Sequence, residues 1–208
     1  MIAVSVLALS LTACARDGEF DSSGGIIVTR SACPAVAVPA FTGDVTLFNP
    51  PSSRDSRAID VVANITNLRT TCGEQTETVD AKVTFDVQAR RANAAGERDV
   101  ILPYFATVVQ GGRVVISKSI SRVSVHFADG QLRASTSGSA SASVNRSAAT
   151  LPVDIQDKIT KKRKAGDANA AIDPLADPDV KAAVARASFE LLVGFQLTQD
   201  QLQYNATR

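Results

Sequence analysis

The chain has 208 residues, 45% of them hydrophobic, with 22 Lys and Arg against 21 Asp and Glu for a formal net charge of +1. That length holds one medium-sized unit with a proper core, and the apolar content excludes a fully disordered chain. The charge balance supplies no basic stripe, and with no Trp and only Tyr104 and Tyr204 the platforms for stacking bases are scarce, so no nucleic-acid partner is expected.

Met1 to Ala13 reads MIAVSVLALSLTA, without charge and apolar at most positions. It is shorter than the roughly 20 residues that cross a bilayer as a helix, and it has the length and texture of a signal-peptide apolar region. No Lys or Arg precedes the run, where such peptides ordinarily carry one. The polar, Gly- and Ser-containing stretch after Cys14 reads as a flexible tether. The rival reading is a buried strand or helix with Cys14 as a core thiol. The run Leu11-Thr12-Ala13-Cys14 resembles the lipobox of bacterial lipoproteins. That resemblance implies removal of residues 1–13 as a signal peptide and lipidation of Cys14. Residues 14–25 then tether one periplasmic domain, 26–208, to a membrane. By the sorting rule of enteric bacteria, Ala15 in place of Asp implies the periplasmic face of the outer membrane.

With Cys14 assigned to lipid, Cys33 and Cys72 remain as an even pair in an oxidising compartment, and a disulfide is expected. The rival is a two-Cys metal site, which lacks His partners because His126 stands alone.

From Ile26 onward the pattern is β. Ile59–Leu68 alternates on Ile59, Val61, Ala63 and Ile65, and Val79–Ala89 alternates without a break, one parity apolar and one polar. Ile101–Val109 is apolar on both faces, as in a central strand, with Pro103 interrupting its ladder or marking its start. Gln110-Gly111-Gly112-Arg113 predicts a hairpin turn into Val114–Phe127. There the apolar parity moves from Val114 and Ile116 to Val123, Val125 and Phe127, which predicts a bulge or bend around Ser117–Arg122. Ala128-Asp129-Gly130 marks the next turn.

Ala134–Val144 is Ser/Ala-rich like a linker, yet its parity is unbroken, with small residues on one face and serines on the other. The strand reading is preferred, and small inward residues leave room for something bulky. Val153–Ile159 is read as a further strand and Ala165–Pro174 as an extended crossing. Asp177 as N-cap with Pro178 at the first helical position predicts a short helix near 177–187. Its apolar face is Val180, Ala183, Val184 and Ala187. Phe189–Leu197 returns to β, and Gln199–Asn205 is expected to pack Leu202 and Tyr204 over the end. About eight strands with one short helix predict a mainly β fold, an antiparallel β-sandwich of the immunoglobulin or fibronectin kind.

No catalytic constellation emerges. His126 lies on the polar parity of its strand with no nucleophile spacing beside it. Asp173-Pro174 and Asp177-Pro178 read as turn and helix caps rather than a calcium loop. The three Asn-x-Ser/Thr matches, at Asn64, Asn145 and Asn205, are treated as chance. No metal or cofactor is expected. Lys158, Lys161, Lys162, Arg163 and Lys164 form the strongest local charge feature. They are candidates for contact with anionic headgroups, beside the plainer reading of a solvated loop. The ending Val193-Gly194-Phe195-Gln196-Leu197-Thr198, with Gln201-Leu202 and Tyr204-Asn205, is similar to that of a group of alphaproteobacterial lipoproteins, which implies no particular activity.

The expectation is a non-enzymatic envelope lipoprotein with an envelope protein as partner and strand addition as the contact mode. The alternative is a small apolar ligand or lipid held between the sheets. Cys14→Ser should move the chain from the membrane to the soluble fraction and abolish incorporation of labelled fatty acid. Persistence of both in the variant would overturn the anchor.

Overall fold

The computed structural model describes residues 31–161 and 172–208, which form two four-stranded sheets packed face to face. The strands are β1 (Ala35–Ala37), β2 (Asp44–Phe48), β3 (Ile59–Glu74), β4 (Thr78–Arg91), β5 (Arg98–Gln110), β6 (Val114–Phe127), β7 (Arg133–Asn145) and β8 (Phe189–Phe195). One sheet has the order β1-β8-β5-β6 and the other β2-β3-β4-β7, so the expected sandwich of eight strands is present. All pairings are antiparallel except β1 with β8, where three residues run parallel.

The alternation in β4 builds the middle of the core. Val79, Ala81, Val83, Phe85, Val87 and Ala89 are buried, and they face Leu102, Tyr104, Val125, Leu191, Val193 and Phe195 of the other sheet. β5 is central as expected, flanked by β6 and β8. The hairpin between β5 and β6 turns on Gly111 and Gly112, both with positive φ. Gly111 is required a second time, because a Cβ there would stand 3.0 Å from the carbonyl oxygen of Ala185. In β6, Val108 pairs with Ser117 and Val109 with Val115, leaving Ile116 as the extra residue of a bulge. The bulge lies at the border of the predicted stretch and accounts for the parity switch.

Ala134–Val144 lies within strand β7, with every serine from Ser135 to Ser143 exposed and Ala142 and Val144 buried. The bulky group that uses its small residues is Phe85, the pairing neighbour of Gly138. A Cβ on Gly138 would stand 2.4 Å from the Phe85 ring. The ring cannot swing clear, since it is 1% exposed and meets Tyr104 edge-on at a centroid distance of 5.1 Å.

Helices occupy more of the chain than expected. α1 (Arg146–Ala149), α2 (Val153–Thr160), α3 (Pro178–Arg186) and α4 (Gln199–Thr207) join two short 3₁₀ turns at Ser56–Ala58 and Pro174–Ala176. α3 is the predicted helix, with the Asp177 carboxylate accepting from Asp179 N–H at 2.9 Å. Its Val180, Ala183 and Ala187 are buried.

Val153–Ile159 is helical, not a strand. Ile155 and Ile159 lie one turn apart, and Ile155 packs on Val180 and Ala183 of α3 in a second small core. Asp154 in the first turn and Lys158 in the last suit the helix dipole.

Gln199–Thr207 is capped by a reciprocal pair in which Thr198 accepts from Gln201 N–H and Gln201 accepts from Thr198 N–H. Tyr204 packs edge-on against Phe48 at 5.2 Å, as expected, but Leu202 points outward. A helix places residues two apart on different sides, and Asn205 takes the inward place, donating to the carbonyls of Phe41 and Asp44.

Gly138→Ala should lower stability by about 1–3 kcal/mol in urea melts, because the new methyl overpacks the Phe85 site. In a double-mutant cycle Phe85→Leu should recover part of that loss. Strict additivity would mean that the ring and the glycine are not coupled.

Candidate functional site

Cys33 and Cys72 are joined by a disulfide with Cα atoms 6.1 Å apart, linking the chain entering the sandwich to the far part of β3. Cys14, Lys162, Arg163 and Lys164 lie outside the described residues, as does most of the Ala165–Pro174 crossing. Of the basic run, Lys158 stands 3.8 Å from Asp177 and Lys161 is exposed just after α2. His126 is exposed on β6, with Nδ1 3.1 Å from Asp99 and Nε2 3.8 Å from Glu97. Among the described residues no Ser, Thr or Cys side chain hydrogen-bonds to His126, Asp99 or Glu97. Asp173 and Asp177 each cap a helix start, accepting from Leu175 and Asp179 N–H. Among the described residues no group of three or more His, Cys, Asp or Glu is placed to hold a metal, and no helix is long and apolar enough to cross a membrane.

Two places in the fold remain as candidates. The first is the outer edge of β6, which among the described residues pairs with β5 alone. From Val114 to Arg122 every residue is exposed, and Val114, Val115, Ile116 and Ile120 are each more than half exposed. On β5 and β6 the core-facing parity carries Tyr104 and Val123, and the outward parity carries Phe105, Lys118, Ile120 and Arg122. Lys118 lies over the Phe105 ring at 5.2 Å, and Ile120 is the direct cross-strand partner of Phe105. An exposed, long apolar edge is a template for another strand, which natural sheets ordinarily cover or blunt.

The other three edges differ. β1 has only three residues, and β2 lies under α4 through Asn205 and Tyr204. β7 is reached across the sandwich by Tyr104, whose hydroxyl donates to the Ser139 carbonyl at 2.7 Å. The sequence signal for the β6 edge was present but was read only as parity. From Val114 to Ala128 there is no Asp or Glu, while Lys118 and Arg122 alternate with Ile120.

The second candidate is a cavity of about 350 Å³ between the end of the sandwich and the helical layer. Ala149, Leu151, Ile159, Leu175 and Val184 give it apolar walls, and the Arg146–Glu74 ion pair, 3.3 Å, lies at its rim. Ser31 and Ala32 line the same cavity, so the chain enters the sandwich here, beside α2 and its Lys158. The space between the sheets is filled instead by Phe85, Phe127, Phe195, Leu102 and Leu191, each less than 2% exposed. No family model, curated protein or solved structure matches this chain.

Proposed function

We propose that the chain is a non-enzymatic lipoprotein of the cell envelope, held at the periplasmic face of the outer membrane through Cys14. Its sandwich works as a protein-interaction module that receives a partner strand on β6. The observation that carries this reading is the edge from Val114 to Arg122, unpaired among the described residues and apolar at four positions. Strand addition takes affinity from main-chain hydrogen bonds and selectivity from alternate side chains, and β6 offers both. The Cys33–Cys72 bridge and the entry of the chain beside α2 support a membrane-facing helical end. There Lys158 and Lys161 lie near anionic headgroups.

A photo-crosslinking residue at Ser121 on β6 should yield a discrete adduct in envelope preparations. The same residue at Ser141 on β7 should yield none, and Ile120→Lys should weaken the β6 adduct. Equal yields from the two strands, or none from β6, would overturn strand addition.

A second reading, an apolar ligand, is favoured by the cavity under the helical layer rather than by the space between the sheets. Ala149→Phe would fill that cavity, and a fluorescent fatty acid that binds the wild type should then bind at least about tenfold more weakly. Unchanged binding, or no binding to the wild type, would sink this reading.

A further inference from the structure

An apolar edge strand is exposed to pairing with a copy of itself, and β6 carries a feature that works against this. Its outward face reads Lys118, Ile120, Arg122, with a cation two positions to each side of the exposed isoleucine. Antiparallel self-pairing centred on Ile120 would bring Ile120 onto Ile120 of the second copy, but would set Lys118 opposite Arg122 at both ends. Centred on Lys118, the pairing matches Ile116 with Ile120 and sets Lys118 against its own copy. Like charges directly opposite one another on a sheet are destabilising, so both of these registers, which set Ile120 against an isoleucine, are opposed. The bulge at Ile116 further disturbs the second register.

The same charges attract a strand of the opposite kind. Among the described residues neither Lys118 nor Arg122 belongs to an ion pair, and β6 itself carries no acid. The Phe105 ring holds the Lys118 ammonium over the outward face rather than letting it trail into solvent.

We propose that the free edge of β6 selects a partner strand in which one apolar residue is flanked, two positions away on each side, by Asp or Glu. This rests on the strand-addition reading above. The apolar residue meets Ile120, and the two carboxylates meet Lys118 and Arg122. Because the pattern is symmetric about Ile120, it suits a parallel or an antiparallel partner.

The test uses the chain as its own mock partner. Full-length wild type and full-length Lys118→Glu/Arg122→Glu, each purified in detergent, are measured by native mass spectrometry alone and mixed. Each alone should remain monomeric. The mixture should give a heterodimer, identified by its mass, with an association constant at least about tenfold above either homodimer and falling as salt rises. A mixture that stays monomeric, or a wild type that self-associates as strongly as the mixture, would overturn the charge rule. A third variant, Lys118→Thr/Arg122→Thr, separates that failure from failure of strand addition. If the rule fails but this neutral variant dimerises, and Ile120→Lys added to it abolishes the dimer, the edge still accepts strands. If the neutral variant is also monomeric, strand addition falls with the rule.

Discussion

The two sheets depend on a side chain that is missing. The far end of the Phe85 ring sits over its pairing neighbour Gly138, and only hydrogen at that position leaves room for the ring. With the ring held there, Tyr104 meets it edge-on from the opposite sheet, and its hydroxyl reaches the Ser139 carbonyl on β7. Edge-to-face aromatic contact and a buried phenol with a partner are each favourable, but the larger effect is geometric. One tyrosine crosses the sandwich and ties the backbone of β7 to β5. A side chain at 138 would displace Phe85, and the Tyr104 bridge would lose the surface against which it is set.

The sandwich is fastened at both ends of β4 by different chemistry. Near the start of β4, Ala81 pairs with Cys72, which is bridged to Cys33. At the end of β4 is Arg91, 4% exposed, whose guanidinium is surrounded by main-chain carbonyls rather than a carboxylate. It donates to Gln131, Gly96, Ala94 and Ala128 at 2.6–2.9 Å and lies over the Phe127 ring. A buried charge without such partners would be strongly destabilising, while hydrogen bonds to a charged donor are among the stronger ones. These four carbonyls belong to the loops before β5 and after β6, so one residue fixes where both strands of the hairpin begin and end.

Period-two alternation made β3, β4 and β7 legible, because a strand with one buried face repeats every second residue whatever its neighbours are. The room left by the small residues of β7 was also legible, but its occupant was not. Gly138 meets Phe85 only because the chain crosses back from β6 to lie beside β4, which is a long-range choice. Val153, Ile155 and Ile159 fit a strand and a helix equally well; the surface of α3 decides between them. Leu202 and Tyr204 are both expected over the end of the sandwich, yet on a helix two positions turn by about 200°, and Asn205 lies inward in place of Leu202. Arg91 had a signal that went unread: it continues the buried parity of β4, where a charge signifies either an error of register or a fully satisfied cation.

The candidate site follows from what these fastenings leave uncovered. β1 is too short to recruit a long strand, β2 lies beneath α4, and Tyr104 occupies a carbonyl of β7. Among the described residues β6 alone combines a long edge with exposed isoleucine and valine, and it is held at both ends. At the hairpin tip Gly111 N–H donates to the Ser188 carbonyl, and Gln110 donates to Arg186 at the end of α3. At the other end Arg91 grips Ala128. A strand presented in this way is already ordered, so an incoming segment bears the ordering cost alone, and the preformed edge raises its affinity. The rigidity that favours a partner equally favours a copy of the chain, and here Lys118 and Arg122 separate the two outcomes. They leave the hydrogen-bonding edge intact and change only which side chains may lie opposite it, so that discrimination comes from an opposing charge rather than from closing the edge.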